Sequence, residues 1–440
     1  MATSQDRALI GHLLRRTGFG ASGAEIDAAA AAGFPATLDA LLAPVADDPG
    51  TAATPPPTDL ADPGNGQGTP AAKKAANAQR TQAAYELVTW WLTRMTAVRQ
   101  PWVEKRTFFW HGHFATSVQK VRIAALMLRQ NETLRSLGGG DFRTLMRAMF
   151  TDPAMMLWLD AAGSTAKAPN ENLARESMEL FSLGVGNYTE QDVRQAALAL
   201  TGWRLDRTSG TAMFAAKGHA PGPETILGRT QSFDVDSFTD LLMAQPANPR
   251  FIASRMWFRL GSSDPVPADT LNRLVAAYGP DRDLTALARA VFSDAAFTGP
   301  TARYALVKQP VEYVVGALRA LKITPPAGGS AKQSTVLRTA LSGLGQVPFT
   351  PPNVGGWPSG RLWLTTAATQ SRITFAEWAA ATGDLTQVAD ASPASRIDAV
   401  AHLLGIDAFS DRTRAALADA AGAPAELVSL ALLSPEYAVN

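Results

Sequence analysis

The chain has no cysteine in its 440 residues. That excludes disulfides, thiolate nucleophiles, cysteine-ligated zinc and iron–sulfur clusters, and it is compatible with either redox compartment. Charge of one sign is also missing: 40 Lys+Arg against 39 Asp+Glu leave a net +1. Nothing electrostatic therefore points to nucleic acid or to an anionic membrane. No apolar run approaches the roughly 18 residues of a spanning helix, so no membrane span is expected. The start, Met1-Ala-Thr-Ser-Gln-Asp-Arg7, lacks the apolar core of a signal peptide. The default is a soluble, cytoplasmic protein, with export beside a signal-bearing partner as the alternative. A P-loop, a dinucleotide glycine fingerprint, a nucleophile elbow and a zincin motif are all absent from the sequence. Basic residues are scattered, and the aromatics sit at helical core spacing rather than in a haem or flavin box.

What is present reads as helix. The 46% apolar fraction is ordinary for a globular chain, and the length allows a large core. Helical periods run through 7–41, 76–205 and 237–440, with no 20–50 residue repeat and no alternating pattern long enough for a major sheet. The expected class is all-α: a large, bundle-like unit over 1–440, divisible at most into lobes 1–235 and 236–440. Residues 43–75, with Pro55-Pro-Pro57 and Gly64-Asn-Gly-Gln-Gly68, read as a flexible surface segment. Residues 204–234 lose the helical period and suggest an irregular loop or small hairpin. Thr189 and Asp192 form a capping-box signature, and Lys308-Gln309-Pro310 marks a kink or a helix start.

The densest chemistry lies in Pro169-Asn-Glu-Asn-Leu-Ala-Arg-Glu-Ser-Met-Glu-Leu-Phe181. On a 3.6-residue period Asn172, Glu176 and Glu179 share a face, and Glu171 aligns with Arg175 and Glu179. Two such carboxylates can grip one metal or one cationic group. The plainer alternative is an Arg175–Glu179 pair on a solvated face, worth a few tenths of a kcal/mol. Among five histidines, His111 and His113 in Trp110-His-Gly-His-Phe114 stand out. In a continuous helix they would point about 200° apart and could not share a metal; a helix end at Gly112 would let them converge. Glu104, seven residues earlier, could orient His111. His219 lies on a Gly/Pro-rich loop, a common place for ligand contacts. Asn353 and Trp357, in Pro351-Pro-Asn-Val-Gly-Gly-Trp-Pro-Ser-Gly360, could line a pocket or simply pack the loop on the bundle.

These stretches, with His12-Leu-Leu-Arg-Arg-Thr-Gly-Phe-Gly20, Gln130-Asn131, Met149-Phe-Thr-Asp-Pro-Ala154, Tyr188-Thr-Glu-Gln-Asp-Val193 and Leu200-Thr-Gly-Trp203, resemble the bacterial family known as domain of unknown function 1800. The likeness runs through nearly the whole chain in one order. It implies a largely helical protein that often occurs beside exported sulfatase-like proteins, hence a protein partner of that kind, and no established reaction. The family's His-Asp-x-Gly-x-Lys loop is altered here: His219 and Gly222 remain, while Ala220 and Glu224 replace the acid and the lysine.

Two readings follow. In one, a buried polar pocket is catalytic through His111, His113, Glu176 and His219. Asn170, Asn172, Asn353 and Trp357 would contact its ligand, and His111, His113, Glu171, Glu176 and Glu179 would hold a divalent metal such as Zn, Mn or Fe. The enzyme would then be a hydrolase or an oxidative enzyme. In the other, the chain is a non-catalytic helical scaffold whose glutamates pair with Arg175 and with arginines such as Arg122 or Arg194.

Overall fold

A computed structural model of the chain describes residues 4–440 apart from 46, 61, 65–67, 207–208 and 326–330. Helix makes up 64% of it, and the only sheets among the described residues are two antiparallel hairpins, which makes the fold mostly all-α. One hairpin pairs Trp203–Asp206 with Thr211–Phe214, the other Glu224–Ile226 with Arg229–Gln231. Both fall in the stretch without helical period. No helix among the described residues is long and apolar enough to cross a membrane.

Local signals place most boundaries. Thr189 and Asp192 exchange side-chain and backbone hydrogen bonds at 2.8 and 3.2 Å, starting the Glu190–Ala199 helix. Pro310 opens Pro310–Ala320 rather than kinking a longer helix, because Gln309 and Glu312 close a capping box over it. One break falls inside the helical period of 76–205. Arg122 takes a left-handed turn, φ 63, between Val118–Val121 and Ala124–Leu137. Parts of the 43–75 segment are pinned: Asp48 accepts from Arg99 and Gln100 N–H, Thr54 O accepts from Trp90 Nε1 at 3.1 Å, and Leu60 is buried. Residues 46, 61 and 65–67 of that segment lie outside the described residues.

Two apolar cores form. One joins Leu87–Met95 and Val118–Met127 to residues between Val311 and Tyr437. The other joins Phe142–Ala161 and Leu173–Leu200 to residues between Ile226 and Phe297. The helix Trp102–His113 belongs to both: Phe108 enters the first core, while Trp102, Phe109 and Trp110 enter the second. Its C-terminal end therefore lies at the seam, and that end carries the two histidines.

Candidate functional site

The helix does not stop at Gly112. It runs through His113, so the two rings face opposite cores. His111 packs among Trp91, Phe349 and Trp357, with ring centroids 5.1, 5.0 and 5.4 Å away. Its Nε2 accepts the Phe349 backbone N–H at 2.9 Å. His113 lies among Phe114, Phe142, Phe181 and Phe251, and its Nε2–H donates to Phe181 O at 3.0 Å. That leaves Nδ1 as a buried acceptor without a partner among the described residues. Burial pushes each histidine down to about 3, and the Arg255 and Arg259 charges add to the effect on His113. Glu104 does not orient His111 directly. It accepts from Arg135 and from Trp91 Nε1, and Trp91 in turn stands edge-on to His111.

The carbonyl that receives His113 comes from an unusual turn. Asn170 caps Glu171–Glu176, accepting from Asn172 N–H at 2.9 Å. The helix then widens into a π-turn over Ser177–Ser182, closed by Leu183 N–H to Met178 O and ended by Gly184 at φ 86. The wider turn frees carbonyls that an α-helix would use. His113 takes the one on Phe181, and Asn248 Nδ2 takes the one on Ser182 at 3.1 Å. A second π-turn, Trp257–Gly261, ends the helix Ala247–Met256 that carries Asn248.

The glutamates divide their work. Arg175 pairs with Glu190 at 2.6 Å and Glu171 at 3.2 Å, not with Glu179. Tyr188 OH donates to Glu179. Arg122 and Arg194 turn to Asn77 and Gln191 instead. Glu176 is half-buried, and burial, then the Glu179 charge, holds its carboxyl above the usual range. His219 is half-buried on the loop between the two hairpins, where Nδ1–H donates to Thr201 O at 3.0 Å and the ring packs on Phe214. Asn353 is exposed and turns back on Gly355 N–H at 2.9 Å; Trp357 is buried against His111. Asn172 is exposed. Among the described residues no three His, Asp or Glu side chains gather around a common metal position. The expected metal set is thus dispersed, because the unbroken helix separates His111 from His113 and the carboxylates pair locally.

Four segments do converge, at Gly112. A Cβ there would meet nothing within 4 Å, so this backbone faces open space. Gly356 lies directly on it: at φ 84, a Cβ would sit 2.7 Å from Gly112 O. On the other side runs the face Phe251, Arg255, Arg259. Phe251 touches His113 and Gly184, and Arg259 Nη2 donates to Trp357 O at 3.4 Å. Both arginines are half-buried, and neither has a carboxylate within salt-bridge distance among the described residues. Burial, then the Arg255 charge, pushes Arg259 down to about 10. The sequence reading passed over this pair. Its signal was two arginines one turn apart in Phe251-Ile-Ala-Ser-Arg-Met-Trp-Phe-Arg259, with no acid three or four residues from either.

A family described as protein of unknown function, DUF1800, matches residues 12–439. The chain belongs to the DUF1800 family. No curated protein and no solved structure matches it. A much larger cavity of this DUF1800 protein lies elsewhere, about 860 Å³ between Glu25, Arg99, Arg319, Lys322 and Asp384. Its walls are mostly self-satisfied: Arg319 reaches Glu25 and three backbone carbonyls, and Lys322 pairs with Asp384 at 2.8 Å. At the Gly112 groove, by contrast, Arg255 and Arg259 have no salt-bridge partner among the described residues. Gly356→Ala should open that groove, because the methyl strikes Gly112 O and the left-handed backbone disfavours a side chain. The expected cost is about 1–3 kcal/mol, read by denaturant unfolding; an unchanged midpoint would disprove the close approach.

Proposed function

We propose that this DUF1800 protein binds an anionic ligand at the Gly112 groove, with Arg255 and Arg259 as the receiving charges. One observation carries the reading: two half-buried guanidinium groups one helical turn apart, with no carboxylate within salt-bridge distance of either among the described residues. Holding like charges together away from bulk water is unfavourable unless something compensates. A forked guanidinium pair matches carboxylate, phosphate or sulfate oxygens. The two π-turns bordering His113 and Arg259 fit a binding role, since such turns are frequent at functional sites.

The test is thermal unfolding of the whole protein in sulfate, phosphate and citrate against chloride at matched ionic strength. A ligand at about 100 times its Kd should stabilise the wild type by about 2.7 kcal/mol. Arg255→Gln and Arg259→Gln should each lose most of that response. If no polyatomic anion stabilises the wild type beyond the chloride control, the reading fails.

A further inference from the structure

The cleft of about 860 Å³ lies where helix ends meet. The helices Pro70–Ala97, Pro310–Ala320 and Arg396–Leu403 end on it, and Gly23–Ala32 starts beside it at Ser22. Helix ends present backbone groups that the helix itself does not satisfy. The chain meets part of that need from its own side chains. Arg319 Nη1 donates to Met95 O, Thr96 O and Val98 O, and Asp384 Oδ1 accepts from Thr386 N–H at 3.0 Å.

Other polar groups of the lining keep capacity. The Arg99 N–H is fixed by Asp48 at 2.9 Å, while its exposed guanidinium has no hydrogen bond or salt bridge among the described residues. Lys322 has three N–H donors, and one of them meets Asp384 at 2.8 Å. On the acceptor side, Glu25 Oε2 takes the Ser22 N–H at 2.7 Å and the Ser22 hydroxyl at 3.0 Å. Glu25 Oε1 has only a long contact to Arg319, 3.4 Å. Gln387 Nε2 donates to His402 Nδ1 at 2.7 Å, which orients the carboxamide. Its Oε1 then has no donor among the described residues.

We infer that this cleft binds a short zwitterionic peptide, its carboxylate received by Arg99 and Lys322 and its ammonium by Glu25 and Gln387. Three observations bear on the class of ligand. The volume lies within the roughly 300–1,000 Å³ of sites for small organic molecules, far beyond the need of a single ion. Uncommitted groups of both kinds, cationic donors and acceptors, suit a ligand that carries both charges. A plain anion would engage Arg99 and Lys322 but offer nothing to the Glu25 carboxylate. The rest of the lining is small and aliphatic, from Ala24, Ala97, Val98, Ala320 and Leu403, which suits small apolar side chains. No aromatic ring lines the cleft, so a base or a sugar ring finds no stacking surface there. The cleft shares no residue with the Gly112 groove, and neither reading depends on the other.

The experiment is calorimetric titration of the full chain with trialanine, with trialanine amide and N-acetyl-trialanine as the blocked forms. Saturable binding of trialanine is expected. Removing either terminal charge should weaken it roughly tenfold or more, as loss of a charge-assisted hydrogen bond does. Arg99→Gln should weaken trialanine to a similar extent. Because Arg99 is exposed and its side chain has no partner to strand, the unfolding midpoint of this variant should match the wild type. No saturable heat with trialanine overturns the inference. So does a blocked peptide that binds as tightly as the free one, or an Arg99→Gln protein of unchanged affinity. Each of these leaves the sulfate and phosphate response of Arg255 and Arg259 untouched, so the two readings fail separately.

Discussion

Lowering the pH from 8 should unfold the protein cooperatively between about pH 4 and 5. Three histidines drive this. His12 is pushed down to about 2 by burial first, then by the Arg16 and Arg15 charges; His111 and His113 are pushed down to about 3 by burial. A base whose folded pKa is depressed contributes stability above its unfolded pKa and loses it as pH falls toward the folded value. At pH 5 each unfolded-state imidazole, with a pKa near 6.5, gains about 2 kcal/mol by protonation that the folded ring cannot share. Three of them amount to about 6 kcal/mol, comparable with the 5–15 kcal/mol that holds a typical domain together. Asp152 opposes them. Burial raises its carboxyl to about 6, so the folded state takes up its proton first and stability rises as pH falls through that value. The opposing gain at pH 5 is only about 1–1.5 kcal/mol, so the histidines win. His12→Leu is the sharpest test. The ring stacks on Phe297 at 4.4 Å and no side-chain hydrogen bond meets its nitrogens, so an apolar replacement loses little at pH 8. The acid midpoint should move about half to one pH unit lower, followed by tryptophan fluorescence at fixed ionic strength. A midpoint that stays put in His12→Leu and in His113→Gln would remove the buried neutral rings as the cause.

The same histidines show how far the sequence reading reached. Helical period, the Thr189–Asp192 cap and Pro310 are local signals, and the structure follows them because each acts within one turn. The His-Gly-His end was legible as unusual, and its two outcomes were separable by angle alone. What decided between them was tertiary: Gly356 packs against Gly112 and Phe349 N–H holds His111, so the helix continues where glycine propensity would let it fray. The π-turn at Ser177–Ser182 was not legible, since the glutamates were placed on a 3.6-residue period that fails after Glu176. The Arg255–Arg259 pair was legible in principle. Carboxylates near histidines suggest a metal more readily than unpaired arginines suggest an anion.

Glu104→Gln should be the most damaging isosteric change in the chain, costing about 3–5 kcal/mol at neutral pH. Glu104 is 1% exposed and accepts three bonds: Arg135 Nε at 2.7 Å, Arg135 Nη2 at 2.8 Å and Trp91 Nε1 at 2.7 Å. Arg94 and Arg106 lie in its field as well. The other acid near this cluster, Glu132, is 41% exposed at its side chain, so water screens much of what it offers. Glutamine keeps the shape but removes the charge and turns an N–H₂ toward Arg135 or Trp91. The surface pair Arg147–Asp236 is the internal control: at 2.9 Å it has comparable geometry, but the side chains are 36% and 52% exposed. Asp236→Asn should therefore cost at most about 1 kcal/mol and less in high salt, while the Glu104 effect should barely change with salt. Glu104→Leu combined with Arg135→Met should recover much of the loss, because it removes both charges instead of stranding one. The consequence reaches the groove: Glu104 anchors Trp91, Trp91 stands edge-on to His111, and His111 holds Phe349 N–H beside the loop that carries Gly356. Freeing the indole should thus weaken sulfate stabilisation more than the stability loss alone explains. A Glu104→Gln protein with less than about 1 kcal/mol lost would mean that Glu132 already carries the Arg135 charge, and this chain of support would fall with it.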